Sequence, residues 1–204
     1  MKTIHRLFWM LALSAASVFQ VHAQADQALL GQDAPSFSLM NIDGKMVSLD
    51  DYQSSKGVIL IFTCNHCPYS IKYEDRIIAL DAKMKAQGFP VVAINPNDAV
   101  AYPDDSYANM KKRAKKKGFT FPYLLDDTQQ IAKAYGATRT PHTYLLVNES
   151  GKFVVRYVGA IDDNTDPSAV SVNYLESAVS QLQQSQSVSP DYTKAVGCGI
   201  KWKK

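Results

Sequence analysis

The sequence predicts an α/β domain, with a buried sheet flanked by helices. Three observations predict it. Val58-Ile59-Leu60-Ile61-Phe62 is an unbroken apolar run of the kind found in buried parallel strands. Beyond it, Tyr73, Ile77, Leu80 and Met84 recur at helical spacing, so an amphipathic helix follows the strand. Two more apolar runs, Pro90–Ile94 and Thr143–Val147, are separated by further helical patterns. At 204 residues, 46% hydrophobic and 20% charged, the chain can bury one generous core or two small ones.

In chain order, residues 1–23 have the layout of a secretory signal peptide. Lys2, His5 and Arg6 are followed by an apolar run from Leu7 to Val18, then Val21-His22-Ala23 before the expected cut. That apolar run is short for a bilayer span. Removal of Lys2 and Arg6 takes two of 22 basic residues, leaving +1 against 19 acidic ones, where the full chain carries +3. A near-neutral mature chain gives no reason to expect nucleic acid or acidic lipid as partner, and no stable membrane insertion is expected after cleavage. Ala34–Met40 alternates, Asp43-Gly44 supplies a turn, and Met46–Leu49 completes a hairpin. Gly88 ends the first helix. Asp104-Asp105-Ser106 is expected to begin the next, with Tyr107, Met110 and Ala114 inward and Gly118 closing it. The run Lys111–Lys117 lies at that helix's C-terminal end, without interleaved aromatics, and reads as a solvated end favoured by the macrodipole. Asp127-Thr128 is expected to cap a small helix holding Ile131, Ala132 and Tyr135. Asn148–Gly151 turns the third apolar strand into Phe153–Val158, and Leu175, Ala178, Val179 and Leu182 mark a last helix. Gln181–Pro190 is rich in Gln and Ser and reads as a flexible connector. Ile200 and Trp202 then argue that the tail returns to the body.

The chemistry is concentrated at Cys64-Asn65-His66-Cys67, between the first buried strand and the first helix. A helix N-terminus presents unpaired N–H groups and partial positive charge, which favour a thiolate on Cys64. Cys67 lies close enough to form a disulfide with Cys64, and Pro68 sits where a missing N–H costs least. Of three cysteines, this pairing leaves Cys198 over. Three readings of Cys198 stand side by side: a free or buried thiol, a third redox thiol acting through the tail, or an intermolecular bridge. Export would set an oxidising context for all of them.

The order of elements, with Ala34-Pro35-Ser36-Phe37, Asp43-Gly44-Lys45, Phe62–Cys67, Thr140-Pro141 and Val158-Gly159-Ala160, resembles the thioredoxin superfamily, in its exported peroxiredoxin-like branch of AhpC/TSA type. The resemblance covers roughly Gly31 to Leu182 and implies a thioredoxin-like fold: a central mixed sheet flanked by helices, with an N-terminal β-hairpin extension. With the leader and the Gln/Ser-rich connector read above, the expected division is a signal peptide (1–23), a thioredoxin-like domain (24–183) and a connector with a tail carrying Cys198 (184–204). The resemblance also implies a cis bond at Thr140-Pro141, facing the dithiol, where the Thr140 backbone can pair with an extended substrate segment.

The implied activity is that of an exported, periplasmic or secreted thiol:disulfide oxidoreductase. Cys64 attacks or is attacked, a mixed disulfide forms, and Cys67 resolves it. His66 is a supporting residue, since a protonated imidazole near Cys64 favours the thiolate; Asn65, Thr140 and Pro141 complete the supporting set. Neither metal nor organic cofactor is expected. The partners are protein dithiol or disulfide clients and a redox partner protein. One alternative is a peroxiredoxin-like thiol peroxidase with antioxidant activity. Against it, the Thr that such enzymes carry three positions before the peroxidatic Cys is replaced by Ile61 before Cys64; for it, Arg139 lies near where an activating arginine is expected. The other alternative is a copper-binding assembly factor on a thioredoxin scaffold, with both thiolates plus His66 or His142 holding Cu(I). The sequence leaves the direction of His142 open.

Overall fold

A computed structural model describes residues 27–204, so the expected leader lies outside the described residues. In chain order the elements are β1 (Ser38–Asn41), β2 (Met46–Ser48), β3 (Gly57–Phe62), α1 (Pro68–Lys85), β4 (Val91–Asn95), α2 (Tyr107–Lys117) and β5 (Tyr123–Leu125). They continue with α3 (Gln130–Ala134), β6 (Arg139–Thr140), β7 (His142–Glu149), β8 (Lys152–Gly159), α4 (Tyr174–Gln183) and β9 (Cys198–Gly199). Seven strands form one mixed sheet in the order β2-β1-β5-β4-β3-β7-β8, and β6 pairs separately with β9. β3, β4 and β5 run parallel, while β7 and β8 return antiparallel. The N-terminal hairpin extends the sheet through β1 against β5.

Strand alternation explains how one apolar run builds two cores. Ile59 and Ile61 pack on one face with Tyr73, Ile77, Leu80 and Met84 of α1 and with Leu175 and Val179 of α4. Val58, Leu60 and Phe62 point to the other face, against Tyr135, Tyr144 and, from the far C-terminus, Ile200. Every β3 residue is buried. At about 1.5–3 kcal/mol for each large apolar side chain taken from water, this strand anchors the domain. It begins at Gly57, where a Cβ would run into the Leu146 carbonyl and the Phe89 ring.

Two expected helix starts are corrected. Ser106 does precede the first residue of α2, Tyr107, but Asp104 and Asp105 belong to a separate 3-10 turn, Pro103–Asp105, and Asp105 is turned fully inward. α3 begins after Gln129, whose φ is 62°, and the carboxylate serving its first turn belongs to Asp126, which accepts from the Ala132 N–H at 2.8 Å. Within the lysine-rich end of α2, Arg113 donates twice to the buried Glu74 and Lys117 donates to Asp75, so part of that charge is spent on α1.

After α4 the chain folds back. The Gln181 side chain accepts from the Ser189 N–H and donates to the Ser189 carbonyl, both at 2.9 Å. Tyr192 then runs beside Val158, and Thr193 closes on Gly159, where a side chain would leave no room. Beyond it, Ile200 is buried and Gln129 holds the backbone of Lys201 and Lys203. The tail is therefore part of the folded body. Among the described residues no helix is long and apolar enough to cross a membrane.

Candidate active site

The site lies beyond the carboxyl ends of the parallel strands β3 and β4, where sheets of this kind leave a crevice. Thr63 still belongs to the ladder, its N–H donating to the Ile94 carbonyl at 2.8 Å. The chain then turns through Cys64, Asn65 and His66, and Cys67 is the residue that precedes the first turn of α1. Pro68 occupies the first helical position, where its fixed φ suits the helix and no hydrogen bond is lost.

The structure corrects the disulfide assignment. Cys67 is bonded to Cys198, 131 positions away, with Cα atoms 6.0 Å apart, and Cys64 is the free thiol. Pairing made the difference: β9 lies antiparallel to β6 with Cys198 opposite Thr140, which delivers its sulfur to Cys67. Gly197 passes so close to Thr140 that a Cβ there would strike its carbonyl.

Cys64 is also not the exposed thiol that its position suggests; it is 2% exposed and Cys67 is 0% exposed. Burial pushes the Cys64 thiol above its ordinary pKa and the nearby Asp105 carboxylate adds to the rise, outweighing hydrogen bonds from Thr140 and Ser70 that act the other way. Its sulfur lies 3.3 Å from Thr140 Oγ1 and 3.8 Å from Ser70 Oγ. Cys67 Sγ lies 3.2 Å from the Thr140 carbonyl; a disulfide sulfur carries no proton, so this is a contact and not a hydrogen bond. Both helix-side sulfurs thus touch one residue, Thr140. The bond from Thr140 to Pro141 is cis.

Asp105 organises the Cys64–Cys67 turn, and sequence reasoning placed it at a helix start instead. Fully buried, it accepts from the Asn65 backbone N–H at 2.6 Å, from Asn97 Nδ2 at 2.8 Å, and pairs with His66 Nδ1 at 2.5 Å. Asn65 donates through Nδ2 to the Asp104 carbonyl and accepts from the Tyr123 hydroxyl. The His66 ring stacks on Tyr102 with centroids 5.1 Å apart. His66 is therefore turned toward a carboxylate, 2.5 Å from Asp105 Oδ2. Ser70, Asn97 and Asn95, whose Nδ2 donates to the Asp105 carbonyl at 3.3 Å, were missed as well. The signal was present in Asn95-Pro96-Asn97-Asp98, a polar cluster directly after a buried strand.

His142 points into the apolar face: it is fully buried, its ring lies tilted against Tyr144 with centroids 4.9 Å apart, and its Nδ1 accepts from the Thr138 N–H while Nε2 has no partner. Burial and Arg139 lower its pKa to about 4. Arg139 itself is exposed and reaches the Gly197 carbonyl of the tail. The donors that converge are Cys64, His66 and Asp105, within 4.8 Å of one another. The two-thiolate set that Cu(I) favours is not assembled while Cys67 is bonded to Cys198.

A mixed sheet flanked by helices, with a strand-delivered cysteine pair facing a cis-Pro turn, defines the class: a thioredoxin-fold oxidoreductase. Residues 30–164 match the model of the AhpC/TSA family, and the chain belongs to that family. It is similar to the thiol-disulfide oxidoreductase ResA of Bacillus subtilis, 33% identical over 135 residues that cover 66% of this chain and 70% of that protein. Its structure is similar to that of an uncharacterized conserved protein from Geobacillus kaustophilus, with 38% identity, a TM-score of 0.79, and coverage of 85% of this chain and 92% of that one. It shares the fold of the thioredoxin domain of a thiol-disulfide oxidoreductase from Bacteroides vulgatus, at 21% identity, a TM-score of 0.52, and coverage of 64% of this chain and 89% of that one.

Proposed function

We propose that this oxidoreductase exchanges thiols and disulfides with protein clients, in the exported compartment that the leader-like residues 1–23 suggest, with Cys64 and Cys67 as the reacting pair. The convergence of both sulfurs on Thr140 is the observation that carries the reading, because exchange needs two sulfurs and an approaching chain at one point. Cys64 attacks a client disulfide and forms a mixed disulfide. Cys67, next to it at the helix start, resolves it. The residues around the pair have defined tasks. Thr140 Oγ1 and Ser70 Oγ can donate to the Cys64 thiolate as it forms, while Asp105 holds the turn in place through Asn65 and His66. The raised pKa makes Cys64 a poor nucleophile while it is covered, so exposure of the sulfur is part of its activation. Metal and organic cofactor play no part in this reading.

Single substitutions test it. Cys64→Ser is expected to bring insulin reduction or dithiol oxidation down to the uncatalysed background. Cys67→Ser is expected to accumulate mixed disulfides between Cys64 and client proteins, visible on non-reducing gels. Full activity in Cys64→Ser would remove the assignment.

A further inference from the structure

The tail lies where an extended client would lie. β9 pairs with β6 through Arg139 with Gly199 and Thr140 with Cys198, so the chain's own C-terminus is a strand added beside the reacting sulfurs. It ends this approach in a disulfide to Cys67. Exposure differs across the three cysteines in a way that bears on chemistry: Cys64 and Cys67 are sealed, and Cys198 is part-exposed. The tail is also seated by specific contacts on both sides of Cys198. Gly197 fits flush against Thr140, the Ile200 N–H donates to the Thr138 carbonyl, and Asn97 accepts from the Lys201 N–H at 2.8 Å.

We propose that Cys198 is the third reacting cysteine of the cycle, an internal acceptor that takes the disulfide from Cys64–Cys67 and presents it to external thiols. This rests on the exchange reading above and extends it by one step. In the reducing direction, the Cys64 thiolate attacks a client disulfide R–S–S–R′, the Cys64–SR bond forms, and R′S⁻ leaves and takes a proton. Cys67 attacks the Cys64 sulfur, the Cys64–Cys67 bond forms, and RS⁻ leaves. The client has now gained two electrons and the protein has lost two. Cys198 then attacks the Cys67 sulfur; the Cys67–Cys198 bond forms, the Cys64–Cys67 bond breaks, and Cys64 departs and is protonated. This last step is redox-neutral. An external thiol R″SH resets the protein by attacking the accessible Cys198 sulfur, with Cys67 leaving, and a second R″SH releases Cys198 and R″SSR″.

The test uses the full purified chain, reduced, then mixed with excess oxidised glutathione as the disulfide probe, acid-quenched over time and mapped by non-reducing peptide mass spectrometry. The expected record is a Cys64–Cys67 peptide pair that appears first and decays into Cys67–Cys198, ending with one free thiol per chain at Cys64. Cys198→Ser is expected to end instead as Cys64–Cys67 with no free thiol, and its resetting by reduced glutathione to be at least tenfold slower. Gly197→Ala, which pushes the strand off Thr140 without touching a sulfur, is expected to stall at Cys64–Cys67. A wild-type end product of Cys64–Cys67 with Cys198 free would overturn the relay and leave the dithiol reading intact. Wild-type Cys67–Cys198 formed without a Cys64–Cys67 precursor, or in the Cys64→Ser variant at the wild-type rate, would overturn the relay by removing Cys64 from it.

Discussion

The β3–α1 turn and the C-terminal tail bring cysteines to the same place by different means. The turn is carried by a strand buried along its whole length and by a helix whose inner face is buried at Tyr73, Ile77, Leu80 and Met84. The tail is held by a two-residue ladder, one disulfide, hydrogen bonds with Gln129, Asn97 and, through Thr193, with Val158 and Ala160, and two large side chains on the core, Ile200 and the half-buried Tyr192. The first carrier is built into the core along its whole length; the second is attached to the body through fewer buried apolar residues. A relay needs that asymmetry, because the acceptor must approach and withdraw while the donor keeps its geometry.

The largest expected effect sharpens that contrast. Leu60→Ala is expected to lower global stability by about 2–5 kcal/mol, the range for truncating a fully buried Leu, seen as a drop in the urea midpoint. Ile200→Ala in the reduced protein is expected to shift the midpoint far less and instead to raise hydrogen exchange in residues 192–203. An equal loss of global stability in both variants would show that the tail is integral to the core and break the comparison.

The next effect concerns the strand beneath the tail. His142 is held neutral with a pKa lowered to about 4, against an ordinary value of 6.5. The unfolded chain therefore binds a proton that the folded one refuses. This group leaves stability untouched above about pH 6.5 and erodes it as the pH falls to about 4, by roughly 3 kcal/mol in all. Urea unfolding of His142→Leu at pH 7 and pH 4.5 should show a smaller acid loss than the parent; an identical loss would place the acid-sensitive group elsewhere.

The smallest effect acts on the free thiol itself. Burial first, and the Asp105 charge second, raise the Cys64 pKa. Asp105→Asn removes the charge while keeping a hydrogen-bonding side chain, so the thiolate fraction rises. Alkylation of Cys64 by iodoacetamide at pH 8 should be about three- to tenfold faster in the variant. A slower reaction would mean that the turn had moved and that Asp105 acts on geometry alone.

Much of this was legible from local pattern. Val58–Phe62 and the Tyr73-Ile77-Leu80-Met84 spacing mark β3 and α1 because strand and helix periodicities are properties of the local backbone. The Cys-x-x-Cys between them was legible for the same reason. The inward turn of Asp105 was not: an Asp one residue before Ser106 is as well suited to a helix start as to a crevice, and only the neighbouring Asn65, His66 and Asn97 select the second. Gln181–Pro190 reads as a loose link by composition, yet Gln181 ties it down with two hydrogen bonds to Ser189.

By itself, the sequence determined that a buried strand hands a cysteine pair to a helix, since each of those features is written in adjacent residues. Which cysteine Cys67 is bonded to was decided by tertiary structure alone. A partner 131 positions away is chosen by the strand pairing that seats Gly197 and Cys198 against Thr140, and no spacing along the chain encodes that meeting.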